Sequence, residues 1–547
     1  MSIIAAAFLG LMILCRSQSV YITLNFSNIT NPNINPYIFG INMYDENSNT
    51  QYTSAYTIVR NGGEAQSRFN WEINALNDNH DWYFISDTTQ NTWQQNSDPP
   101  VKTNGMDLFT QIPAMGWVAK STEKQWSFSQ AKYGAQQSDE CTNFPGATWC
   151  AKDAGNGVLA NGQNVVGNDP NDADKPTTPQ DAFNWVQAII QRYGDKATIF
   201  GLDNEPCIWH TTHRDVHPIG ATYDELWNMT LQYGTKIKEA CNYKCQLLGL
   251  SNWGWCGYFT SGYDNQQNIN GQGCFTGTDR EAHGNLPLLA WYLQQNAMYE
   301  TQNGKRLLDI LDVHYYPQNM NSGTGITFNC NEDSATMEYR LQSPRALYDW
   351  NYVDPTWINQ PIALIPRLRN WIDTTYPGTN ISISEHNFGG DTCITSVIAH
   401  AEVLSIAATY GVEIMTRWVQ PDVGTPVINS YNIYTNYDGK GSNIYGNGHN
   451  KAYNVMSNNI ESVTGYTFAE SDASKVYVYL FNKDKSQSNI TIKLNNGKFT
   501  TNGIIDLYVI NNNGLTYMGQ CNNKPNSTSF SVVMSQWTVM FAIINQN

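Results

Sequence analysis

IFGLDNEPCIWHTTHRDVHP, residues 199–218, is the stretch on which the reading of this chain turns. A short apolar run, Ile199 to Leu202, ends in Asp203, Asn204, Glu205 and Pro206. That pattern predicts a strand delivering an amide and a carboxylate together to its C-terminal end. In a parallel α/β barrel that end of the strands forms the rim that carries the chemistry. Asn beside Glu suits sugar chemistry there, because the amide can hold a hydroxyl while the acid protonates a bridging oxygen. The competing reading is a strand-end Glu that is merely solvated or salt-bridged.

Working outward, apolar runs recur near residues 38, 57, 110, 200, 247, 310, 382 and 415, and helical spacing falls between several of them, at 178–193, 223–241, 288–299, 362–376 and 397–410. Eight such alternating units predict a (β/α)8 TIM barrel with insertions. After about Gly424 the pattern changes to short strands with hardly any helix, separated by turn signals such as Asn496-Gly497 and Asn513-Gly514. This predicts a β-sandwich domain, to which Val20 to Leu24 supplies a strand. The expected organisation is a leader at 1–19, an N-terminal sandwich strand in 20–35, a catalytic barrel at 36–424 and a sandwich at 425–547. Tyr477 and Tyr479 either display aromatic rings for binding or belong to a core face.

The run ISISE places Glu385 at the end of the seventh predicted strand, so a barrel brings it to the same rim as Glu205 on the fourth. Retaining glycosidases hold two carboxyl groups roughly 5–5.5 Å apart, and at that distance mutual repulsion raises one pKa and leaves the other low. Arg60, Asn204, His314, Tyr316 and Trp418 are the candidate wall of the site, each with core packing as its alternative. Asn204 is expected on a sugar hydroxyl, and Tyr316 donating to Glu385. His213 and His217 stand four apart, but no Glu lies between them and Pro218 closes the segment, so an ordinary loop role is preferred over a zinc site.

Only 14% of the 547 residues are charged, whereas Trp and Tyr number 17 and 32, a balance suited to an uncharged ring-shaped ligand. A net charge of −16 without any basic run argues against nucleic acid and against anionic membranes. Ile3 to Cys15 is an apolar run followed by small residues, too short to span a bilayer and fitting a secretory leader. Without Cys15, ten of the 11 cysteines remain, which favours disulfides in an exported chain, with Cys141–Cys150 and Cys256–Cys274 as expected pairs. N-x-S/T sequons at Asn25, Asn28, Asn228, Asn380, Asn489 and Asn526 agree with export. Between Ser121 and Lys175 lies a long polar, cysteine-bearing segment of the kind that is functional or stapled.

RNGGEAQSRFNW from Arg60, NDNHDWY from Asn77, GLDNEPCIWHTTHRDVHP from Gly201, DVHYYP from Asp312, SEHNFGG from Ser384 and RWVQP from Arg417 together resemble glycoside hydrolase family 44, the endoglucanases and xyloglucanases. The resemblance runs from about Ile34 to the terminal stretch MSQWTVMFAI. It implies a barrel with a sandwich built from both termini, retaining chemistry, Glu205 as acid/base and Glu385 as nucleophile. His386 departs from the family pattern, where a Tyr is expected. A structural calcium ion would fit some relatives, although no ligand set is readable in this chain. The leading expectation is thus an extracellular, monomeric endo-β-1,4-glucanase acting on a β-glucan polysaccharide, with no required cofactor, no metal at the site, and no nucleic-acid or membrane partner. Its competitors are a catalytically silent carbohydrate-binding or cell-wall protein and an exo-acting arabinofuranosidase or xylosidase.

Overall fold

The structure, a computed structural model, describes residues 19–43, 53–268, 274–446, 450–472, 474–495, 499–501 and 503–546. The expected leader, up to residue 18, and the Asn496-Gly497 turn lie outside the described residues. Among those described, no helix is long and apolar enough to cross a membrane.

Eight parallel strands close into a barrel: β1 (Gly40–Asn42), β2 (Ile58–Asn61), β3 (Asp107–Ile112), β4 (Ile199–Leu202), β5 (Gln246–Trp253), β6 (Ile310–Tyr315), β7 (Asn380–His386) and β8 (Ile414–Arg417). All eight expected strands are present. The first begins later than expected because Pro36–Ile38 forms a 3-10 turn, capped by the Asn35 side chain accepting the Tyr37 N–H. Helix α1 (Pro179–Tyr193) has Pro179 in its first turn and a reciprocal Thr178–Asp181 capping box, which fixes its entry just ahead of β4. The helix expected over 223–241 is two, α2 (Tyr223–Met229) and α3 (Thr235–Ala240), joined by a π turn at Thr230–Gly234. Helices α4 (Leu288–Asn303), α5 (Leu364–Thr375) and α6 (Ile394–Tyr410) follow β5, β6 and β7.

Strand alternation decides what fills the barrel. Ile58, Phe109, Ile199, Leu248, Ile310 and Ile414 pack together as one apolar layer. Two residues further along β6 comes Asp312 and two further His314, both fully buried, so the apolar layer gives way to polar side chains toward the C-terminal rim. Two bulges adjust this pattern. Ser251 is the extra residue where β5 slips against β6, and Ser384 is the extra residue where β7 slips against β6. The second bulge lets consecutive residues Ser384 and Glu385 both reach the interior, which plain alternation would forbid.

The long segment after β3 is tied down rather than loose. Arg68 donates to Asp215 Oδ1 and Oδ2 at 3.0 and 2.8 Å and to Asp174 Oδ1 at 3.1 Å, all three side chains being fully buried. Ser127 Oγ donates to Asp215 at 2.5 Å, and Cys141–Cys150 forms a disulfide within the same segment. Disulfides also join Cys241–Cys245, Cys256–Cys274 and Cys330–Cys393, while Cys207 and Cys521 stay free.

The chain divides into two compact units. One is Thr30–Lys451; the other joins the chain up to Ile29 with Ala452–Asn547. The change of pattern at Gly424 is therefore not where the units part. Helix α7 (Asn429–Thr435) belongs with the barrel, its Tyr434 hydroxyl donating to the Ala401 carbonyl of α6 at 2.6 Å. In the β-rich unit the expected sandwich is a single hydrogen-bonded sheet of nine strands. Ser19–Asn31 lies inside it, parallel to Ser488–Asn495, with Val20 opposite Ile490. Ile22, Val478, Ile492, Ile505, Phe530 and Ala542, drawn from across the sheet, share one core. Tyr477 and Tyr479 face the other way but are 1% and 0% exposed, Tyr479 stacking on Phe541 at 4.5 Å, so they display nothing to solvent.

Candidate active site

Glu205 stands immediately beyond β4 in a left-handed conformation, φ 44°, with its N–H donating to the Ser251 carbonyl of the β5 bulge at 3.1 Å. This holds the side chain over the barrel axis at the cost of backbone strain. Glu385 ends β7 across the barrel. The two meet at His314 of β6: Nδ1 lies 2.7 Å from Glu205 Oε1 and 3.4 Å from Glu385 Oε2. One oxygen of each carboxyl group and the imidazole nitrogen all fall within 4.8 Å of one another. Both glutamates are almost wholly buried, at 6% and 5% exposed.

Their surroundings are unequal. Arg60 of β2 donates through Nη1 to Glu385 Oε1 at 2.7 Å and to Asn42 at 2.8 Å, and through Nη2 to Asn204 at 2.7 Å and Gln111 at 3.1 Å. Tyr316 donates its hydroxyl to the other Glu385 oxygen at 2.8 Å. Burial leaves the Glu385 carboxyl above its ordinary value, although the Arg60 charge and the hydrogen bonds from Arg60 and Tyr316 oppose the rise. Glu205 has no such cation of its own: burial raises it far above the ordinary range, and the neighbouring Glu64 and Glu385 raise it further. His314 is held neutral, its pKa well below the usual value because the ring is buried and faces Arg60. Its Nε2 lies 3.1 Å from Ser384 Oγ, which donates to Asp312 at 2.6 Å, as Ser251 does from the opposite side. These second contacts fix the plane of the ring.

Arg60, Asn204, His314 and Tyr316 thus meet in one hydrogen-bonded cluster around the carboxylates. Trp418 stands apart from it, half-buried beyond β8, with its ring over Gly63, where a Cβ would come within 2.6 Å. Asn42, Gln111 and Glu64 escaped the sequence reading. The first two are lone polar residues in short strands, and Glu64 begins a 3-10 turn after Gly63 and carries no strand-end signature. His386, at the position where the resemblance leads to Tyr, is buried and turned toward Phe388 and His400, leaving Tyr316 to serve Glu385. His213 and His217 have separate partners, Glu64 at 2.8 Å and Glu225 at 2.7 Å, and share no site.

Glu205, His314 and Glu385 are close enough to invite a shared cation. Arg60 and Tyr316 already donate to both oxygens of Glu385, however, and a guanidinium beside the pair supplies the positive charge a metal would bring. Among the described residues no other trio of His, Cys, Asp or Glu side chains comes together in this way. Two cavities, of about 530 and 510 Å³, lie along the rim. Glu64 and Trp418 line the first, residues of the long insertion line the second, and Asp81 and Trp82 line both.

The family description of glycoside hydrolase family 44 matches residues 75–319. Among solved structures, a bifunctional glucanase-xylanase from a metagenome library is 34% identical with a TM-score of 0.87, covering 97% of this chain and 99% of that one. The family 44 endoglucanase of Clostridium thermocellum, 24% identical, has the same fold at a TM-score of 0.76 over 97% of this chain and 100% of its own. The β-mannanase/endoglucanase A of Caldicellulosiruptor saccharolyticus is 29% identical over 87% of this chain, and endoglucanase A of Paenibacillus lautus 28% over 84%. This chain spans 35% and 64% of the length of those two proteins. At 34% identity the likeness to the first structure extends through barrel and β-rich unit alike, and with the matching family description it establishes that the chain belongs to glycoside hydrolase family 44.

Proposed function

We propose that the protein is a secreted, retaining endo-β-1,4-glucanase that cleaves internal bonds of soluble β-glucans or xyloglucan by double displacement. The observation that carries this reading is the buried Glu205–Glu385 pair, bridged by one imidazole and charged unequally by its neighbours. Glu385, whose ionised form the Arg60 and Tyr316 donors favour, attacks the anomeric carbon. Glu205, kept protonated, gives its proton to the leaving glycosidic oxygen, and then takes one from the water that attacks the glycosyl-enzyme bond. Asn204, held by Arg60 on the same side as Glu205, is placed to bind the sugar 2-hydroxyl in the transition state. Trp418 lines one of the two cavities and Trp82 both, which suits a chain longer than one sugar. The unit Thr30–Lys451, which holds the carboxylate pair, is proposed as catalytic in role and the β-rich unit as accessory. The relatives that act on glucan, xyloglucan, xylan or mannan give the panel to test. Reducing-sugar release from that panel should be greatest on soluble β-1,4-glucan or xyloglucan and absent in Glu385→Gln. Release from none of the polymers, with only short aryl arabinosides or xylosides cleaved, would favour the exo-acting alternative.

A further inference from the structure

Glu64 has no part in the two-carboxylate mechanism, yet it is placed against it. It opens the 3-10 turn Glu64–Arg68 behind Gly63, whose φ of +110° swings the chain back over the rim. One of its oxygens, Oε2, lies 2.8 Å from Nε2 of His213, a ring with no exposure at all. The other, Oε1, is buried and has no hydrogen-bond donor assigned to it among the described residues, and Glu205 is a neighbouring carboxyl that could supply one. When two neighbouring carboxyl groups share one proton and it sits on Glu205, the unpaired Glu64 oxygen is its acceptor.

We propose that Glu64 is a positioning residue for Glu205: anchored by His213, it accepts the Glu205 O–H and so holds the proton in place until the glycosidic oxygen arrives. This rests on the reading of Glu205 as the acid. The groups that face Glu64 are His213, Asp81, Glu205, Glu385 and the thiol of Cys207, with Arg60 beside the two catalytic carboxyls. Of these, His213 pins Glu64 and Arg60 donates to Glu385, so the charge of Glu64 pushes Glu205 in the direction that keeps it protonated, against a smaller opposing pull from Arg60. After proton transfer the two carboxylates face each other as like charges. That repulsion makes Glu205 the stronger base for the water step, so one residue serves both halves of the cycle.

The test is the pH profile of kcat/KM on a soluble glucan for wild type, Glu64→Gln and Glu64→Asp, with Glu205→Gln as control. Glu64→Gln keeps the shape and removes the charge; its basic limb, which reports ionisation of the acid, should move down by on the order of one pH unit, while rates below the limb stay within a few-fold. Glu64→Asp should restore the limb toward wild type. A limb unmoved in Glu64→Gln, or moved equally in Glu64→Asp, overturns the proposal, since a structural loss would lower the whole curve without displacing it. Should Glu205→Gln itself keep its rate on polymer, the acid assignment has failed and not Glu64 alone.

Discussion

At the scale of single residues, Glu205 and Glu385 are chemically the same side chain made different by what surrounds them. Replacing Glu205 with Gln removes the proton donor, so hydrolysis of polymer should fall about 10²- to 10⁴-fold while an activated aryl glycoside, which needs little protonation, suffers far less. Initial rates on the two substrates with one enzyme preparation give that comparison. Burial of these acids also has a thermodynamic consequence. The raised pKa of Glu205 means the folded chain keeps a proton that the unfolded chain releases, so its contribution to stability is complete below about pH 4.3, the ordinary value for Glu, and is lost as pH rises toward the folded value. Glu205→Gln, which cannot ionise, should therefore lose less Tm than wild type between pH 4 and pH 8. An identical decline in both would show that Glu205 is not the group responsible.

At the scale of elements, the barrel strands were legible because their apolar runs end in polar side chains at one rim, as in IFGLDNE and ISISE. What was not legible depends on geometry that sequence spacing does not encode. The Ser384 bulge reverses the inward register just before Glu385, the π turn at Thr230–Gly234 splits a continuous helical pattern, and Glu64 acts from a turn positioned by a glycine. The boundary near Gly424 misled because α7 is short and lies in a strand-rich stretch, yet its tyrosines are buried against α6. The long insertion after β3 is tied to the barrel through Arg68, which pairs with two fully buried carboxylates, Asp174 and Asp215. Arg68→Ala leaves both unpaired and should cost about 3–5 kcal/mol in urea unfolding, far more than the loss of a surface pair. A cost under about 1 kcal/mol would mean the insertion is held by its disulfide and apolar contacts instead.

At the scale of the whole molecule, the low charge, the many aromatic rings and the two cavities that share Asp81 and Trp82 in their lining all suit a long neutral chain lying across the barrel rim. Cleavage should accordingly be internal: carboxymethylcellulose or xyloglucan should lose most of its viscosity while only a small fraction of its bonds is cut. Constant viscosity during steady monosaccharide release would instead indicate attack from chain ends. The central claim, however, is that Glu385 bonds to the sugar while Glu205 shuttles the proton, and stereochemistry tests it most directly. In proton NMR of a fresh cello-oligosaccharide digest, the first reducing ends to appear should be the β-anomer, with the α-anomer growing in only by mutarotation. An α-anomer formed first would contradict the account, because it requires water to attack from the face opposite the departing bond and leaves no place for a glycosyl-Glu385 intermediate.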